Sequence, residues 1–222
     1  MMPLPRPRIH QPDAVLDHAR NVVLERGSRA ATMEAIASAS GAPMGSLYHC
    51  FHSRDELLAR VWVRAVRRSQ AAFCAAAEHA DPERAAVDAA LSIYDFCARE
   101  SADARLLVSM RREDLIQAEL PADLMRELKD LNRPVRQALE RLARRLYERA
   151  RPEEVDRVLL ATFDLPYGMA RPYIIRGKTP PEQRRRLLKA AVLAVIRDPR
   201  TPSATGRRDP FSENINERRL SR

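Results

Sequence analysis

The sequence predicts an all-α protein, a small N-terminal three-helix domain followed by a larger helical one, and three observations carry that prediction. Ala, Leu, Arg and Glu abound while Gly counts 6 and aromatic residues make up 5% of the chain, so strand formers are scarce and helix formers dominate. Apolar residues recur at three- and four-residue steps rather than in alternation. The segments with that period are bounded by Pro, Gly, Ser, Thr and Asp at the positions where helices start and stop. With 222 residues, 45% of them hydrophobic, the chain has enough apolar surface for a core of ordinary size.

Residues 1–10 hold Pro3, Pro5 and Pro7 among basic side chains and read as a flexible arm. A first helix is expected from Pro12 to Arg26, because Val15, Ala19, Val22 and Val23 share one face and Gly27 stands where a left-handed cap belongs. Thr32 is the expected N-cap of a short second helix to Ala39 that turns Met33, Ile36 and Ala37 inward. Gly41 breaks it, and Pro43 supplies the fixed φ of a first helical residue for a third helix reaching His49 or Cys50.

Ser53 and Glu56 have the spacing of a capping box, opening a long fourth helix to His79 through Leu57, Leu58, Val61, Trp62 and Val66. Asp81-Pro82-Glu83 caps and starts a fifth helix to Glu100, and Ser101 is the expected cap of a sixth to Gln117. After Leu120-Pro121 a single amphipathic helix is expected to Ala150, kinked at Pro134. Pro152 opens a helix that is apolar nearly all round until Pro166 and Gly168 perturb it, which predicts burial. Thr179-Pro180-Pro181-Glu182 reads as a second capping box, for a last helix to Ile196. Residues 199–222 lack any period and read as a disordered tail.

Cys50, Cys74 and Cys97 are too scattered for a disulfide framework, no apolar stretch is long enough to span a bilayer, and no signal-type apolar segment begins the chain. These features fit a cytoplasmic protein without a membrane partner. The formal net charge is +9, but residues 1–60 carry seven basic against six acidic side chains, and most of the excess sits in residues 184–222. Bulk charge therefore does not argue for a nucleic-acid partner here; the tail excess reads as a solvated basic segment.

Residues 32–51 supply what a helix-turn-helix requires: a first helix, a turn residue tolerant of positive φ, and a second helix with short side chains at its approach to a groove. Ile36, Ala37 and Leu47 are its inward residues; Met44, Ser46, Tyr48 and His49 lie on the exposed face. The run Thr32-Met33-x-x-Ile36-Ala37, then Gly41-Ala42-Pro43-x-Gly45-Ser46-Leu47-Tyr48-His49-x-Phe51-x-Ser53-Arg54-x-x-Leu57 resembles the DNA-binding signature of TetR-family repressors. The resemblance spans about 45 residues, the first helix included.

That resemblance implies phosphate contacts from Thr32, Tyr48, His49 and Arg54, with Pro43, Met44, Gly45 and Ser46 facing base edges. Hydroxyls, an arginine fork and helix N-termini suit phosphate oxygens. Met44 stands where many members carry a polar side chain; it can touch a thymine methyl but cannot read guanine. The resemblance also implies a domain at 11–57 for DNA and one at 58–198 for a small-molecule effector and homodimerisation. Trp62, Phe96, Met110, Phe163 and Tyr167 are its candidate ligand-binding residues, with core packing as the alternative for each. Asp164-Leu165-Pro166-Tyr167-Gly168 reads equally as pocket wall or kink.

Leu187, Leu188, Ala191, Val192 and Val195 mark a helix face suited to a two-fold interface, whereas Arg184-Arg185-Arg186 reads as a solvated face. His49-Cys50-x-His52 lacks a fourth ligand and a convergent geometry for metal, and the chain has no nucleophile elbow or phosphate-binding glycine loop. The expectation is a non-enzymatic regulator, without a cofactor, that binds a palindromic operator in double-stranded DNA and is released by an effector. Activation by the same DNA chemistry, or a helical binding protein with a degenerate helix-turn-helix, are the alternatives.

Overall fold

A computed structural model describes residues 12–110, 112, 115 and 118–198. Among these residues every regular element is helical. The N-terminal arm and the tail after residue 198 lie outside the described residues.

α1 (Pro12–Arg26) buries Val15, Leu16, Ala19, Val22 and Val23. Gly27 follows at φ 83° and leads into a short 3₁₀ turn, Ser28–Ala30. α2 (Met33–Ser40) is capped by Thr32, whose Oγ1 accepts the Ala35 N–H at 3.2 Å, and it stops at Gly41, φ 68°. α3 (Met44–Cys50) starts one residue later than the sequence suggests: Pro43, at ψ 139°, is the N-cap rather than the first helical residue.

α4 (Arg54–Ala77) is the longest of these elements. Ser53 caps it, accepting the Glu56 N–H at 3.1 Å. The reciprocal half of the expected box does not form, because the Glu56 carboxylate takes the backbone N–H of His52 at 2.9 Å and the Arg60 side chain at 2.7 Å instead. α5 (Pro82–Arg99) is capped as expected, Asp81 accepting from the amides of Glu83 and Arg84. α6 (Ser101–Ser109) is not capped by Ser101, which is already helical, and it ends where Met110 turns extended, short of Gln117.

The expected long helix after Pro121 is two helices, α7 (Ala122–Asp130) and α8 (Arg133–Tyr147). Pro134 does not kink a continuous rod; it occupies the first turn of α8, where its missing N–H costs no hydrogen bond. α9 (Pro152–Leu159) runs into a π-helical turn, Leu160–Asp164, and then α10 (Leu165–Ile175). The π turn ends two residues before Pro166, which has no N–H to return to the carbonyl four residues back. α11 (Glu182–Arg197) starts only after both prolines, with Pro181 as N-cap and no side-chain cap. A residue before proline is driven out of the helical region, so Pro180 cannot begin the helix and the box from Thr179 fails.

Two hydrophobic clusters divide the interior. One joins α1–α3 and the first half of α4 to Leu106 of α6, to Met110 just after it, and to Leu124 and Leu128 of α7. The other collects α5, α8, α9, α10 and α11 around Tyr94, Leu139, Leu142 and Leu188. α4 belongs to the first and reaches the second through Phe73 and Ala77.

Candidate nucleic-acid interface and helical-domain cavity

The helix-turn-helix assembles from a few apolar anchors. Ile36 and Leu47 are buried, at 0% and 1% exposure, and fix α3 against α2, while the left-handed Gly41 permits the turn that a side chain would strain. Opposite these anchors, Pro43, Gly45, Tyr48 and His49 are exposed, with Tyr48 at 48%. A Cβ added at Gly45 would meet nothing within 4 Å, so none of the described residues occupies that approach to α3. Ser46 is half-buried. Met44 and Cys50 are also half-buried and pack against the N-terminal cluster, which gives both an anchoring role that the sequence alone did not supply.

Thr32 is exposed at the N-terminus of α2. The adjacent Glu34 carboxyl is held below its ordinary range, first by a backbone N–H and then by the Thr32 hydroxyl. Arg54 is less available than expected. Its Nε donates to the Ala31 carbonyl at 2.9 Å, its Nη1 to Asp55 at 2.7 Å, and its Nη2 to the Ser28 carbonyl. The guanidinium thus clamps the loop before α2 to the start of α4, and acts on Thr32 through the backbone of its neighbour.

Glu56 is a second positioning residue that the sequence motif did not reveal beyond its capping role. It is buried to 1% exposure, and its carboxylate holds the His52 amide and ring together, with Nδ1 at 3.0 Å, immediately after α3. Burial pushes this carboxyl upward, but hydrogen bonds from Arg60 and His52 outweigh it and hold the group below the usual carboxylate range. Among the described residues no group of three His, Cys, Asp or Glu side chains is placed to hold a metal.

Between the two clusters lies a cavity of about 180 Å³, lined by α4, α5, α6, α8 and the α9–α10 helix. Four of the five expected ligand residues, Trp62, Phe96, Phe163 and Tyr167, line it together. Met110 does not: it is buried at 5% in the N-terminal cluster, beyond the end of α6. The π turn brings Leu159, Phe163, Asp164 and Tyr167 to this wall, and the rings of Phe163 and Tyr167 lie nearly parallel, 10° apart, at 6.3 Å. Gln70, Arg112 and Asn132 are lining residues that sequence reading missed. Gln70 Nε2 donates to Asn132 Oδ1 at 3.0 Å.

α11 has an inward face, Leu188 and Val192, both at 0% exposure, and an outward one carrying Leu187 at 53%, with Ala191 and Val195 half-buried. Ile175 at the end of α10 is also 53% exposed. Arg185 pairs with Asp95 at 2.7 Å, while Arg184 and Arg186 face solvent. No helix among the described residues is long and apolar enough to cross a membrane.

Residues 15–61 match the family model described as bacterial regulatory proteins, tetR family. The fold is similar to that of PfmR, a TetR family transcriptional regulator from Thermus thermophilus, at TM-score 0.62 and 19% identity over 84% of this chain and 98% of that one. It is also similar to the ketosteroid transcriptional regulator KstR2 of Mycobacterium tuberculosis (TM-score 0.60, 18% identity, 84% and 93% covered). The fatty acid degradation regulator FadR from Bacillus halodurans gives TM-score 0.60 and 16% identity, with 86% and 100% covered. A sequence comparison with curated proteins gives no match.

Proposed function

We propose that this chain, a tetR-family protein through its residues 15–61, is a transcriptional repressor that binds a palindromic operator as a homodimer and is released by a small molecule held in the helical-domain cavity. The observation that carries the reading is the α2–α3 unit. A capped first helix, a left-handed glycine turn and a second helix pinned by Leu47 present Gly45, Tyr48 and His49 outward on one surface, the arrangement that inserts a recognition helix into a major groove.

The working division is a DNA-binding domain at 11–57 and an effector and dimerisation domain at 58–198, acting in the cytoplasm. In the dimer the outward faces of α10 and α11, with Ile175 and Leu187 exposed, form a two-fold helical interface, since apolar side chains of that size gain from cover. The names of structural neighbours such as PfmR and KstR2 describe transcriptional regulators, which supports the same class here. Effector binding favours a dimer whose recognition helices no longer match successive grooves, and operator DNA weakens effector binding by the same factor.

Selection of random duplexes by the purified protein, repeated with Tyr48→Ala at two salt concentrations, tests the reading. Enrichment of an inverted repeat by the wild type and its loss in the variant are expected. Equal recovery of all duplexes at both salt concentrations overturns it.

A further inference from the structure

We propose that the helical-domain cavity takes a compact, uncharged aromatic molecule of one or two fused rings bearing a lactam-like edge, one hydrogen-bond donor beside one acceptor, set against Gln70 and Asn132. The proposal rests on the cavity being the effector site and names the class of ligand. Size comes first. An apolar cavity of about 150 Å³ accepts benzene, so about 180 Å³ suits a small ring system.

The walls set the shape and charge. Trp62, Phe96, Phe163 and Tyr167 give the cavity aromatic surfaces, which favour flat guests through stacked or edge-on contacts. Among the described residues one cation and one anion, Arg112 and Asp164, belong to the lining, so it carries no net charge and offers a charged guest no excess of the opposite sign to offset its lost hydration. Burial pushes the Cys97 thiol in the same wall up to about 11, which leaves no thiolate for covalent capture.

The polar edge sets the functional group. Gln70 and Asn132 spend one donor and one acceptor on each other, and among the described residues their side chains have no other hydrogen bond. One amide oxygen and one amide N–H₂ therefore remain for a guest, an offer unchanged if both amides are turned over together. A guest lacking the matching pair leaves them unsatisfied, which is the arrangement that discriminates strongly between analogues.

Trp62 is the single tryptophan of the chain and lines the cavity, so its emission reports entry there without DNA. The test titrates the full chain by calorimetry and Trp62 fluorescence with oxindole, indane, indane-2-carboxylate and decanoate, and repeats oxindole and indane on Gln70→Leu. Oxindole is expected to bind and perturb Trp62, indane at least tenfold more weakly, and Gln70→Leu to bring the two within threefold while its melting temperature stays near that of the wild type. Decanoate or indane-2-carboxylate perturbing Trp62 where oxindole does not overturns the ligand class and leaves the cavity as an effector site. Oxindole binding at Trp62 with no change in operator affinity upholds the site chemistry and overturns the effector reading. Failure of all four probes to bind overturns the class.

Discussion

Arg20 Nη1 of α1 lies 2.7 Å from Oδ1 of Asp103 in α6, a carboxylate 1% exposed that also takes Arg68 Nη1 of α4 at 3.0 Å. One buried anion thus ties the first helix of the DNA-binding unit to the helix whose next residue, Ala104, lines the cavity. Removing the shared carboxylate takes from Arg20 and Arg68 their common buried partner and leaves Arg20, among the described carboxylates, only Asp17 at 3.3 Å. Asp103→Ala is expected to lower unfolding free energy by about 3 kcal/mol, read by urea denaturation. A loss under about 0.5 kcal/mol, the size of an ordinary surface substitution, contradicts the clamp.

Gly45→Ala separates folding from DNA binding. The added methyl meets none of the described residues, and alanine is the better residue inside a helix, so the variant is expected to gain about 0.5–1 kcal/mol of stability. In the proposed complex the same methyl stands between α3 and the bases, and selected operator should bind at least tenfold more weakly in an electrophoretic shift assay. Unchanged affinity would place the groove contact elsewhere.

Gly41→Ala has the opposite profile. At φ 68° a Cβ costs about 1–2 kcal/mol, so melting temperature falls while operator affinity, measured well below the new melting point, changes little.

For Arg54, lysine is the informative replacement. A lysine keeps the charge for phosphate but cannot reach the Ser28 and Ala31 carbonyls and Asp55 with one fork. Arg54→Lys is expected to destabilise the fold by about 1–2 kcal/mol. A variant as stable as wild type in urea, yet weakened on DNA, would restore a direct phosphate role.

Acid sensitivity follows from Glu56. Its folded pKa lies below the ordinary carboxylate value, so the contribution is complete above the unfolded value, near 4.5, and is lost as pH falls through the depressed folded value. Glu56→Gln should therefore unfold with a shallower pH dependence below about pH 4.5; parallel wild-type and variant curves there refute the assignment.

How far these features could be read from sequence depended on whether the signal was local. Thr32, Gly41, Ser53 and Asp81 act on amides or dihedrals within a few residues of themselves, and the helices they bound were legible. The break at Leu131–Asn132 was not, because the apolar spacing of Leu128, Leu131 and Val135 continues across it. The cavity was half legible. Aromatic residues on the right helices suggested Trp62, Phe96, Phe163 and Tyr167, but Met110 obeys the same rule and packs elsewhere. Gln70 and Asn132 are 62 residues apart, and no periodicity links them. Arg54 and Glu56 were visible as motif positions, yet their actual partners, backbone carbonyls and an amide outside the motif's logic, are tertiary facts.

The π turn at Leu160–Asp164, closed by Leu165 N–H on the Leu160 carbonyl, has the character of a one-residue insertion absorbed by a rod. Were the turn to tighten to α geometry with every residue kept, all that follows would rotate by about 100°, and Tyr167 and Ile174 would leave the cavity wall. Deleting one residue within 160–164 should instead leave both flanks in place. The segment therefore works as a phase adjuster: it lets the face of α9 and the face of α10 be aimed separately, so cavity shape and the outward surface near Ile175 can drift apart in evolution without either helix losing its seat.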